Sequence, residues 1–145
     1  MNHAAQLLRV LALVSLFAFP LHGVWEYLHV GLYSGYEQWT HGTPVVLLAT
    51  IGDVLYTYAA FGLVSALKRR VDWIYTIRGS EYLLLAGLGF VMALCIEYRG
   101  VVLSRWSYLP AMPIIPILGV GLSPVLEMTV LLPVTFFIVS RLLKV

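Results

Sequence analysis

The segment HGVWEYLHVGLY, His22–Tyr33, decides how the chain is read. It closes a long apolar run that opens at Leu7, yet it sets two histidines and a glutamate within about two helical turns. In water such a cluster is ordinary. In hydrocarbon each ionisable side chain costs about 2.5–3.5 kcal/mol at mid-bilayer on insertion scales. The first question is therefore which solvent surrounds this helix.

Composition answers it. The 145 residues are 61% hydrophobic and 11% charged, with a mean hydropathy of +0.90. Soluble domains are about 45–50% apolar and about 25% charged, so the chain departs toward lipid on both counts. Four apolar stretches stand out, Leu7–Leu28, Pro44–Leu67, Glu81–Leu103 and Pro124–Leu143. Crossing a core of about 30 Å takes about 20 mostly apolar residues, and each stretch is of that length. The expected fold is an all-α integral membrane protein, a four-transmembrane-helix bundle forming a single domain over residues 1–145. The first run reads as a retained span: its apolar part is long for a signal peptide, and WEYLH stands where a small-residue cleavage site would be. Cys95 is the single cysteine and builds no disulfide framework.

The net charge of +2 follows the membrane and does not indicate nucleic acid. Arg9, Lys68, Arg69, Arg70, Arg78, Arg141 and Lys144 flank the ends of the spans on one side, against Arg99 and Arg105 on the other. The positive-inside rule then puts both termini and the middle loop in the cytoplasm, with a bacterial inner membrane as the expected home. The middle loop, KRRVDWIYTIRGS, mixes bases with Trp73 and Tyr75 as an interfacial segment does. Pro44 is placed to open the second helix, Ser80 and Glu81 the third, and Ser123-Pro124 the fourth. Before the fourth span, SRWSYLPAMPIIPILGVGLSP carries Pro110, Pro113, Pro116 and Pro124 and cannot be regular helix. Irregular backbone at membrane depth must be buried by protein or line a cavity, so this Pro/Gly-rich segment is expected to be re-entrant or interfacial across the outer mouth.

Seven residues are acidic. Glu37 and Asp72 fall in loops and Glu81 at a helix start, while Glu26, Asp53, Glu97 and Glu127 fall one in each span. At about 1.5 Å per residue, Glu26 lies about 25 Å and Glu97 about 24 Å above the inner ends of their helices, and Asp53 about 13 Å below the outer end of its own. Glu127 sits in the first turn of its span, so all four carboxyls reach the outer half of one bundle. His22, Glu26 and His29, spaced by four and three, share a helical face. Trp25, Tyr33, Tyr56, Trp106 and Tyr108 approach the same level and read as the aromatic, substrate-binding roof of a polar chamber that also includes His29.

Such a set suits proton chemistry on a lipid-soluble substrate. A carboxyl in an apolar site stays protonated and acts as an acid, a second carboxylate or a histidine takes the proton back, and aromatic faces stabilise a carbocation formed in between. Glu26 is the expected acid with His22 as its partner; Asp53, Glu97 and Glu127 are the further catalytic candidates, and no cofactor is required. The alternative is a non-enzyme, a transporter subunit or a ligand- or metal-binding protein using the same residues. The spacing Glu26-x-x-His29 matches the Glu-x-x-His arrangement of di-iron bundles, which places a divalent metal at Glu26/His29 in that alternative. The partners expected are the membrane and a lipid or prenyl substrate, with a homo-oligomer as an open alternative to a monomer.

Short motifs carry resemblances. HGVWEYLHVGLY resembles the Trp-Glu segment of small membrane-bound terpene cyclases, which implies an acid role for Glu26 beside Trp25. HGVWE is similar to the His-x-x-x-Glu segment of the sterol Δ8–Δ7 isomerase family and implies roles for His22 and Glu26. The stretch from Trp106 and Tyr108 to Pro124 and Glu127 resembles membrane lycopene cyclases, which carry a second acid where this chain has Met128. As a whole the chain is similar to a small, uncharacterised family of four-span bacterial membrane proteins.

Overall fold

The apolar stretches fold as four long helices, each bounded where polar or proline-rich sequence begins. The structure, a computed structural model, describes residues 3–36 and 39–144. In chain order the helices are α1 (His3–His29), α2 (Trp39–Lys68), α3 (Gly79–Val102) and α4 (Leu122–Leu142). All four are long and apolar enough to cross a membrane. Glu37, expected in a loop, lies outside the described residues.

Pro44 does not open α2; it stands inside the helix, five residues after Trp39. The third helix starts close to expectation: Glu81 Oε2 accepts the Arg78 main-chain N–H at 2.7 Å and closes the first turn. Its carboxylate also pairs with Lys68 across the connection. Trp73 packs into protein. A short 3-10 turn, Asp72–Thr76, folds it into the bundle end, where it is 2% exposed and donates to Ser65 Oγ at 2.9 Å. There it stands with Phe61 and Phe136 at centroid distances of 5.6 and 5.7 Å. Each such aromatic pair adds about 0.5–1.5 kcal/mol beyond area burial.

α1 packs on both α2 and α4, α3 packs chiefly on α4, and of the adjacent helix pairs α2 and α3 have the sparsest contact. α4 is the central helix: 50% of its most apolar window is buried, against 22–28% in the other three. Between lipid-bathed helices the hydrophobic drive is weak, so close approach and hydrogen bonds do the holding. Gly89 on α3 permits that approach, since a Cβ there would overlap the Met128 main chain of α4. The start of α1 meets the end of α4, where the Arg9 guanidinium donates to the Leu142 carbonyl at 3.5 Å.

The proline-rich connection is irregular, as its prolines require. It holds one small hairpin, β1 (Ile114–Ile115) against antiparallel β2 (Val120–Gly121). Its backbone is tied down by Ser34 N–H to Ser107 O at 2.9 Å, Leu109 N–H to Leu32 O at 2.9 Å and Leu122 N–H to Pro113 O at 2.7 Å. These bonds lay it over the end of α1. Trp106 rests on Gly100 of α3, where any Cβ would overlap the indole ring.

Candidate functional site

The face of α1 that carries His22, Glu26 and His29 turns toward α4, and Glu127 of α4 reaches both imidazoles. His22 is fully buried, with Nδ1 2.8 Å from Glu127 Oε1 and 4.0 Å from Asp53 Oδ2 of α2. Its other ring nitrogen, Nε2, lies 3.5 Å from Thr57 Oγ1. The partner of His22 is thus Glu127 and not Glu26, a correction with a simple cause. A side chain four residues away on the same helix lies beside His22, whereas a neighbouring helix presents its carboxylate head-on.

Glu26 pairs instead with His29, Oε2 to Nε2 at 3.3 Å, and the second Glu127 oxygen lies 4.0 Å from the same nitrogen. His29 Nδ1 is 2.9 Å from Ser123 Oγ, which also accepts the Trp25 indole N–H at 3.3 Å. Ser123 was expected as the cap of α4. The cap position falls on Gly121, with no side-chain cap bond, and the Ser123 hydroxyl turns inward to the site. Glu127 is not a terminal dipole partner either: it lies five residues past the start of α4 and is 2% exposed.

Glu97 of α3 forms the opposite wall. It accepts the Tyr108 phenol on Oε2 and the Tyr33 phenol, at 3.5 Å, on Oε1. The Tyr33 ring stands 5.6 Å from both the His29 and the Tyr108 rings, linking the two walls. Burial, and then the adjacent Glu97 carboxyl, push the Tyr108 phenol above its ordinary range; burial does the same first for Tyr33. Both therefore remain hydrogen donors at neutral pH.

The walls enclose a cavity of about 230 Å³. Glu26, Asp53, Glu97 and Glu127 all line it, with Tyr33, Tyr56 and Trp106 among the aromatic residues. Every span contributes, and α2 and α3, the adjacent pair in sparsest contact, flank it with Tyr56, itself partly exposed. His22, Trp25, His29 and Tyr108 do not line the cavity; they stand behind it, bonded to Glu127, Ser123, Glu26 and Glu97 respectively. Among the described residues, Asp53 Oδ2 and Trp106 Nε1 are buried here with no hydrogen-bond partner at ordinary distance, Glu26 and Glu97 being their polar neighbours. Among the described residues, the lysine and arginine ion pairs are Lys68–Glu81 and Arg70–Asp72, both at the opposite end of the bundle.

Tyr36, which lines the cavity, and the hydrogen-bonding residues Thr57 and Ser123 carry no role in the sequence reading of the site. Thr57 had a signal, its position four residues after Asp53 on the same helical face. Ser123 had none, because a serine before a proline at a helix start has a sufficient local explanation. No protein-family model, curated protein or solved structure matches the chain.

Proposed function

We propose that the protein is a membrane-embedded acid–base enzyme, of isomerase or cyclase type, acting on a prenyl or other lipid-soluble substrate. The observation that carries this reading is the convergence of four carboxyls, one from each span, on one cavity without a lysine or arginine partner. An assembly partner or structural bundle has no use for such a set, which is costly in lipid.

An apolar cavity of about 150 Å³ already admits benzene. The space here therefore suits one unsaturated end of a lipid, with the remainder lying in the bilayer along the α2–α3 seam. Glu26 gives its proton to a carbon of the double bond; the π electrons form the new C–H bond and leave a carbocation on the neighbouring carbon. Tyr33, Tyr56 and Trp106 face that charge. Glu97, already an acceptor toward two phenols, takes a proton from an adjacent carbon, and the C–H electrons restore a double bond. Ring closure before that last step makes the outcome a cyclisation. Glu97 then releases its proton to water and His29 returns one from water to Glu26, so atoms, electrons and protons balance over the cycle. In this reading the proline-rich connection lies at the outer membrane interface, both termini are cytoplasmic, and the membrane is a bacterial inner membrane.

The test compares lipid extracts of cells with and without the protein by mass spectrometry, together with the Glu26→Gln variant. A new isomer or ring product that disappears in Glu26→Gln is the expected result. An unchanged prenyl-lipid profile overturns the reading, and a product that survives Glu26→Gln removes Glu26 as the acid.

A further inference from the structure

We propose that His22, Asp53 and Glu127 form a binding site for one divalent transition-metal ion, ligated by His22 Nδ1, Asp53 Oδ2 and a Glu127 carboxylate oxygen. The three residues come from three helices, and their ligating atoms lie within 4.8 Å of one another.

The hydrogen-bond pattern sets the histidine for this task. The Thr57 hydroxyl is 2.8 Å from the Asp53 main-chain oxygen, an acceptor only, so its proton is committed there. Thr57 Oγ1 is left as an acceptor, and His22 Nε2, 3.5 Å away, can only donate to it. A neutral His22 then carries its lone pair on Nδ1, aimed at two carboxylates. A lone pair and a carboxylate oxygen 2.8 Å apart need positive charge to hold them, either a proton or a metal ion. A proton between Nδ1 and Glu127 serves that pair and leaves the buried Asp53 Oδ2 without a hydrogen-bond donor, its other neighbour being the Glu26 carboxyl. A cation serves all three atoms.

Spacing and donor chemistry agree. Bond lengths of about 2.0–2.2 Å to nitrogen and oxygen put neighbouring ligand atoms about 3–4 Å apart around the ion. The observed separations from Nδ1 are 2.8 and 4.0 Å. An imidazole with two carboxylates and no thiolate suits zinc, iron or manganese; magnesium and calcium prefer all-oxygen sets. Thr57 is the outer partner that fixes the ring, the usual arrangement behind a ligating histidine. Asp53 and Glu127 also line the cavity, which leaves open positions on the ion facing it.

The experiment uses the full chain in lipid nanodiscs, stripped with a chelator and then titrated with Zn2+ and, separately, Mn2+. Bound metal is read by elemental analysis after desalting and by calorimetry. One ion per chain is expected, lost in His22→Ala and in Asp53→Asn. Thr57→Val, which leaves all three ligands in place, should weaken binding about 10–100-fold and keeps the test decisive if the His22 variant does not fold. Trace metal only, or uptake that survives both His22→Ala and Asp53→Asn, overturns the proposal. So does uptake that Glu26→Gln abolishes and His22→Ala does not, since ligation then belongs to Glu26 and His29. The inference is independent of the acid–base reading: Glu26→Gln should stop turnover and retain the metal.

Discussion

At the scale of single residues, the site is a set of polar groups each held by one specific neighbour. Ser123 shows how much hangs on one hydroxyl, because it serves His29 and Trp25 together. Ser123→Ala leaves two ring nitrogens without their partner, and a buried donor stripped of its acceptor costs about 1–3 kcal/mol. Thermal unfolding in detergent should show that loss, and product formation should fall further than stability does, as misplacement of a reacting group by about 1 Å costs about 100-fold. Tyr108 supplies a pH test. Its raised titration means that the folded protein keeps the phenol proton where the unfolded chain, near the ordinary tyrosine value of about 10, has released it. Its contribution to stability is constant below that value and declines as pH rises past it. Unfolding followed between neutral and alkaline pH should show a shallower decline in Tyr108→Phe. Which residues are acidic, and that they share a depth, was legible from hydropathy and spacing alone. Their pairing was not, since Glu127 and His22 meet across helices and no local pattern encodes that contact.

At the scale of elements, the four helices were legible because lipid enforces length and apolarity together. Their ends were less so. Pro44 reads locally as a first-turn residue, but α2 runs on through it toward its N-terminus, because a proline near a helix start removes few bonds. Trp73 and Tyr75 read as a membrane-interface pair, whereas the turn after α2 folds Trp73 beneath the bundle. The α3–α4 seam makes a sharper prediction. Gly89→Ala sets a methyl group against the Met128 main chain, and overpacking of this kind costs about 1–3 kcal/mol. Gly87→Ala, two residues earlier with open space around it, should be neutral or mildly stabilising by helix propensity. Paired melting curves of the two variants test the seam directly.

At the scale of the molecule, the sparse contact between α2 and α3 leaves the cavity flanked by those two helices. Gly52 lines the cavity, and a Cβ there meets nothing within 4 Å. Gly52→Leu should therefore fill the space while keeping or raising the melting temperature, since leucine is the better helix former. The expected outcome is a stable protein that makes no product and no longer co-purifies with lipid; unchanged product would mean the cavity is not where chemistry happens. The central position of α4 reaches back to how the protein is made. Glu127 and Ser123 leave the ribosome after the other three spans, so His22 Nδ1 and His29 Nδ1 enter the insertion machinery before the groups that face them exist. Until α4 arrives, the nascent bundle must shelter those groups with protons or trapped water. The chamber is thus completed in one late step, and a chain stalled before residue 122 would present the cell's quality-control proteases with an open polar seam in the bilayer.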